Sequence, residues 1–125
     1  MIHLVKVKIM KYQELVKEVE GVRKLKLSEQ ENFYRDVLNE SSNDLEVMVA
    51  ATFYLGMTFY YEGNFNKAKE IIEPIILQYQ SMPFVRELIS AFNLMGVMLY
   101  YDGANVSSRY YYEKALQIAM EHEDV

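Results

Sequence analysis

The fold is decided by residues 54–72, YLGMTFYYEGNFNKAKEII, and by their partial repetition forty residues later in residues 94–112, LMGVMLYYDGANVSSRYYY. Each copy has one glycine inside an apolar run, then two adjacent tyrosines, then a second glycine. A glycine inside a helix costs about 1 kcal/mol relative to alanine, so the inner glycines indicate a neighbouring helix that approaches closely. The outer glycines suit helix ends, where the backbone needs positive φ. Each copy therefore predicts a helix, a turn and a second helix.

The apolar spacing extends this repeat along the chain. One stripe with helical spacing recurs forty residues later, and the corresponding pairs are Leu45 and Val85, Met48 and Leu88, Thr52 and Phe92, Leu55 and Met95, and Phe59 and Leu99. In the first copy, the helix before the turn is apolar on two sides, so other helices must cover it on two sides. A repeat of this length is typical of a solenoid, in which each helical hairpin buries a face against the next. We expect an all-α chain with repeats at residues 43–82 and 83–122.

The first 42 residues show weaker helical signals. Apolar residues recur on one helical face at Val5, Ile9, Tyr12, Val16 and Val19. The alternation over residues 5–9 also suits a strand. Gly21 predicts a helix end, and Ser28 with Glu31 predicts a capping box at the start of the next helix. We interpret residues 1–42 as a degenerate helical hairpin or cap.

Composition narrows the function classes. The chain carries a net charge of -5, so it does not have the excess of positive charge that is typical of proteins that bind nucleic acid or anionic lipid. The absence of cysteine excludes a disulfide scaffold, a thiolate metal site and a cysteine nucleophile. No secretory leader or membrane-spanning apolar stretch is present in the sequence, so we expect a cytoplasmic protein without a nucleic-acid or membrane partner.

Catalytic and metal-binding patterns are missing from the sequence. His3 and His122 have no partner at ligand spacing, and the acidic run at residues 121–124 is better explained as a solvated helix end than as a metal site. No phosphate-binding glycine loop and no serine elbow occur. We expect no catalysis within this chain, no cofactor and no metal, and a small enzyme is the least favoured hypothesis.

The repeated residues resemble the tetratricopeptide repeat (TPR) family. The first copy carries the family pattern at Leu55-Gly56, Phe59, Gly63-Asn64-Phe65 and Ala68, and the second carries it at Met95-Gly96, Leu99, Gly103 and Ala115. The second copy departs at Ala104-Asn105 and at Ser108. The resemblance implies a right-handed superhelix of antiparallel helix pairs, with about six helices and repeats longer than the usual ~34 residues.

The resemblance also implies a binding face, because the inner face of the first helix of each TPR lines the groove of the superhelix. By register, the candidate peptide- or protein-binding residues are Phe53, Met57, Tyr60, Tyr61, Asn93, Val97, Tyr100 and Tyr101. An aromatic and methionine surface with one amide suits an amphipathic peptide or a partner helix. Burial in the core is an equal alternative for any single position. The lysines and arginines with which some TPR domains grip a terminal carboxylate are missing, since Ala50, Phe53, Ser90 and Asn93 occupy those positions.

Residues 92–96 and 112–116, followed by the acidic run at 121–124, are similar to N-terminal TPR sensor regions of bacterial diguanylate cyclases. That similarity implies a sensory or scaffolding region whose cyclase domain lies outside this chain. The alternatives are the repeat domain of a peptide-responsive transcriptional regulator, or a structural oligomerisation segment. The final helix, residues 107–120, is apolar on two sides, which predicts further repeats after Val125 as the simpler explanation, or a homodimer.

Overall fold

In the computed structural model, which describes residues 10–41, 43–79 and 86–122, every regular element is a helix, so the predicted all-α class is confirmed. The six helices within those ranges are α1 (Tyr12–Val22), α2 (Leu27–Glu40), α3 (Leu45–Tyr61), α4 (Phe65–Tyr79), α5 (Arg86–Tyr101) and α6 (Asn105–Glu121). The strand alternative at residues 5–9 and the predicted boundary between the two repeats at residues 82 and 83 lie outside the described residues.

Each helix packs against the next one along the chain, and α3 also contacts α1 and α5. The odd-numbered helices thus form one contiguous layer, against which the even-numbered helices pack. Because α3 has neighbours on several sides, its apolar residues are buried around most of its circumference, as the two apolar stripes predict. Serial packing of this kind is compatible with a superhelix, whose handedness stays a prediction.

The two outer glycines end equivalent helices with the same backbone geometry. Gly63 has φ 83° and Gly103 has φ 82°, the left-handed conformation that favours glycine. The amide that follows each glycine, in Asn64 and Ala104, donates to the carbonyl five residues earlier at 2.9 Å in both turns. This bond satisfies a carbonyl that the helix end would otherwise leave unpaired. The predicted turns are therefore confirmed, forty residues apart.

The two inner glycines lie where a second helix approaches most closely. A Cβ added to Gly56 would lie 2.6 Å from Cγ1 of Ile72, and one added to Gly96 would lie 2.8 Å from Cε1 of Tyr112. Both distances are shorter than real Cβ atoms tolerate. Ile72 and Tyr112 are themselves forty residues apart, so the same α-hairpin contact is made in both repeats.

The N-terminal helices differ from the sequence expectation at their ends. The N-cap of α2 is Lys26, whose N–H donates to Oε1 of Glu29 at 3.2 Å. The predicted capping box at Ser28 and Glu31 is therefore wrong, because the helix begins at Leu27 and Ser28 already lies in its first turn. Glu31 instead accepts from Nε of Arg35 at 2.8 Å, one turn along the same helix.

Candidate functional site

One side of α5 faces away from the neighbouring helices. Its residues follow helical spacing and are Arg86, Ser90, Asn93, Val97, Tyr100 and Tyr101. We call this surface the α5 face. The opposite side of the helix is buried through residues such as Leu88, Phe92 and Met95, which fixes the orientation of the helix. At 1.5 Å per residue the face is about 22 Å long, enough for a peptide helix of about four turns.

The C-terminal end of the α5 face is aromatic. Tyr100 and Tyr101, at this end of the face, are 61% and 65% exposed, and Tyr61, at the equivalent end of α3, is 62% exposed. They belong to a chain of rings that joins the two repeats: Phe65 stacks on Tyr60 at 5.2 Å between centroids and lies 6.0 Å from Tyr101. Exposed aromatic rings on a well-packed support are the side chains that most often carry the energy of protein recognition.

The equivalent side of α3 is more enclosed. Phe53 belongs to the core, and Met57 and Tyr60 are half-buried. Phe53, Met57 and Tyr61 border a cleft of about 100 Å³ together with residues of the N-terminal hairpin, namely Val19, Arg23, Gln30 and Tyr34. The N-terminal hairpin thus covers this surface on α3, whereas the equivalent surface on α5 stays open.

The eight candidate residues therefore divide into three groups. Tyr61, Asn93, Tyr100 and Tyr101 are exposed, whereas Met57, Tyr60 and Val97 are half-buried. Phe53 lies beneath the surface. Their role in binding stays a prediction, with the exposed group placed where a partner has access.

A buried carboxylate that sequence analysis missed lies at the first turn of α5. Glu87 is only 2% exposed, and both its oxygens are hydrogen-bonded to tyrosines of other helices. The Tyr12 hydroxyl of α1 donates to Oε1 at 2.7 Å, and the Tyr54 hydroxyl of α3 donates to Oε2 at 2.7 Å. The Tyr54 ring in turn stacks on Tyr34 of α2 at 5.7 Å. We call Glu87, Tyr12 and Tyr54 the glutamate clasp, because it joins all three helices of the odd-numbered layer.

The repeat itself contains the signal that points to this clasp. Forty residues before Glu87 lies Val47, which is fully buried in the first repeat. A carboxylate at a position that the repeat keeps apolar needs hydrogen-bond donors, since a buried charge without partners is strongly unfavourable. Tyrosines at helix-facing positions are the available donors. Nη2 of Arg86 lies 3.8 Å from Oε2, so Glu87 also has a cation beside it on α5.

Burial and the hydrogen bond to Glu87 raise the pKa of Tyr12 to about 12, and the same causes raise the pKa of Tyr54 above its ordinary range. A raised folded-state pKa favours the protonated folded form, so this contribution to stability is complete below the unfolded pKa of about 10. It is lost as the pH rises towards about 12.

We therefore expect the stability difference between the parent chain and a Tyr12→Phe variant to shrink as the pH rises from about 10 to about 12. Urea unfolding followed by circular dichroism at a series of pH values measures this difference. Tyr100→Phe, which removes the hydroxyl of an exposed ring, is the control and should stay within about 0.5 kcal/mol of the parent. If the stability difference between Tyr12→Phe and the parent does not change with pH, the Tyr12 hydroxyl does not have the raised pKa described here.

The described residues support neither a metal site nor a membrane-spanning helix. No group of three or more histidine, aspartate or glutamate side chains is placed to hold a metal ion among residues 10–41, 43–79 and 86–122. None of the helices in that part of the chain combines the length and apolar character that crossing a bilayer requires.

Compared with known proteins, the chain matches no protein-family model, no curated protein and no solved structure. The resemblance to the TPR family therefore rests on the sequence motifs quoted above. The matching turn and inner-glycine geometry of the two repeats is consistent with that resemblance.

Proposed function

We propose that this chain is a non-catalytic helical-repeat module that binds a peptide or protein segment on the α5 face. The observation that carries the proposal is that three tyrosines are each more than 60% exposed, Tyr100 and Tyr101 at the end of α5 and Tyr61 at the position of α3 equivalent to Tyr101. The helices that carry these rings are anchored by the buried residues on their other sides. An apolar occupant would remove them from water, which is the main source of binding free energy for such surfaces.

The chemistry of the face favours an amphipathic helix as its occupant. The tyrosine end offers apolar area and hydroxyl groups, Asn93 offers one amide donor and acceptor, and Arg86 provides a cation at the other end. A helix that places apolar residues on the rings and a carboxylate near Arg86 would complement all three features. Binding of this kind can favour one packing arrangement of the stack over another and so act on an attached domain.

The proposed context is the sensory or scaffolding part of a larger bacterial signalling protein, such as a TPR-containing diguanylate cyclase. The sequence similarity of residues 92–96 and 112–116 supports it. A structural oligomerisation segment is the second candidate, and the outer surface of α6 favours it, as argued below.

Removing the Tyr100 ring should weaken binding without destabilising the fold. Peptides selected from a displayed random library on the 125-residue chain provide the probe, labelled with a fluorophore for anisotropy titration. Tyr100→Ser should raise the Kd of the selected peptides roughly tenfold or more, because it removes an exposed aromatic contact. The thermal midpoint should change little, whereas Tyr60→Ala should lower it, since Tyr60 stacks on Phe65.

Leu77→Ser is the matched control, because Leu77 is 67% exposed but lies on α4, away from the α5 face. It should leave peptide affinity within about twofold of the parent. Selected peptides that bind the parent and the Tyr100→Ser variant equally well, or a selection that enriches no peptide, would count against this function.

A further inference from the structure

The last helix leaves an apolar strip uncovered that its counterpart in the first repeat buries. On α4, Ile72 packs on Gly56 of α3 and Ile76 lies one turn further along; they are 0% and 3% exposed, and α5 also packs against α4. The equivalent positions on α6 are Tyr112 and Leu116, which are 39% and 60% exposed. Met120, one turn beyond Leu116, is also exposed. We call Tyr112, Leu116 and Met120 the α6 strip.

The repeat also indicates which charge a helix packed on this strip would carry. On α4, Nζ of Lys69 contacts Oδ2 of Asp102 at 2.5 Å, and Asp102 directly follows the C-terminal end of the covering helix α5. Arg109 lies forty residues after Lys69 and holds the equivalent position on α6. By this equivalence, the helix that covers the α6 strip runs antiparallel to α6 and carries a carboxylate near its C-terminal end.

Helix α6 itself meets this description. It ends at Glu121, and the sequence continues with a histidine, a glutamate and an aspartate. Its first turn has no acidic residue and its last turn has no basic residue. The charges of α6 therefore do not interact favourably with its own helix dipole. In an antiparallel pair of α6 helices, Glu121 at the end of each would lie near Arg109 of the other, and these two charges would be complementary.

We propose that the α6 strip is a homodimer interface, in which two copies of this chain pack their α6 helices antiparallel around a two-fold axis near Leu116. Each α6 then takes the place that α5 has over α4. The interface is isologous, because the same strip contributes on both sides. A contact of one helix per subunit is small, so the dimer should dissociate in the micromolar range. This proposal is independent of peptide binding on the α5 face.

Sedimentation equilibrium of the 125-residue chain from about 1 to about 300 μM should show a reversible monomer–dimer equilibrium. Leu116→Glu should raise the dissociation constant about thirtyfold or more, because it places a charge at the centre of an apolar contact. Arg109→Glu should raise it roughly tenfold at low salt and less at high salt, since screening weakens the lost attraction.

Leu77→Glu is the control and should dimerise like the parent, because it adds the same charge to an equally exposed leucine of α4. Circular dichroism should show the same helicity for all variants. A parent chain that stays monomeric at about 300 μM overturns the proposal and leaves the strip to a further helix of a longer polypeptide. A dimer that Leu116→Glu does not weaken overturns it as well, since another surface then makes the contact.

Discussion

Replacing Glu87 with valine should lower the free energy of unfolding by about 2 to 3 kcal/mol, although it restores the residue type that the first repeat has at this position. The reason is that the hydroxyls of Tyr12 and Tyr54 would lose the carboxylate oxygens that now accept their hydrogen bonds at 2.7 Å. Each polar group left unpaired in a partly buried place costs about 1 kcal/mol or more. Denaturant unfolding followed by circular dichroism measures the loss.

The triple variant Glu87→Val, Tyr12→Phe, Tyr54→Phe separates the hydrogen bonds from the packing. It removes the acceptor and both donors together, so it should recover stability to within about 1 kcal/mol of the parent. Glu73→Val is the control, because Glu73 is an exposed glutamate of α4, and its replacement should cost about 0.5 kcal/mol. If Glu87→Val alone proves as stable as the parent, the clasp contributes nothing to the fold.

Substituting Gly56 with alanine should destabilise the chain by about 2 kcal/mol, even though alanine is the better helix former by about 1 kcal/mol. The new Cβ would lie 2.6 Å from Cγ1 of Ile72, whose side chain is fully buried. Helices α3 and α4 would have to separate, and the shift would extend to the core on both sides. Thermal and denaturant unfolding both measure the effect.

Gly96→Ala is the matched comparison, because it makes the same change at the equivalent place in the second repeat. Its new Cβ would meet the ring of Tyr112, which is partly exposed and able to rotate outwards, so the loss should be clearly smaller. Combining Gly56→Ala with Ile72→Val removes the Cδ1 methyl group of Ile72 and should recover part of the stability. A stabilising Gly56→Ala would mean that the close approach is not a constraint.

The repeat was predictable because glycine has few roles inside and at the end of helices. Gly56 and Gly63 each allowed one physical interpretation, a close approach and a helix end with positive φ, and the structure bears out both. Their recurrence as Gly96 and Gly103 fixed the period. The start of α2 was missed because Lys26 caps it without the side-chain hydroxyl on which the sequence prediction relied.

The candidate surface was harder to predict, because equivalent repeat positions have different neighbours. Phe53 and Asn93 share a register position, yet Phe53 is buried and Asn93 is exposed, because the N-terminal hairpin lies beside Phe53. The glutamate clasp was missed for a related reason. Its members lie 33 and 75 residues apart in sequence, beyond any local pattern.

The sparse burial of α6 has a consequence for how the chain opens. Only Ser108 and Ala115 are buried on this helix, and α5 is its main neighbour, whereas α3 contacts four other helices. Detaching α6 therefore breaks one interface and leaves the clasp intact, while detaching α3 dismantles the whole core. Local opening should therefore cost less at α6 than at α3, so a ligand that contacts both α5 and α6 would hold α6 in its packed position.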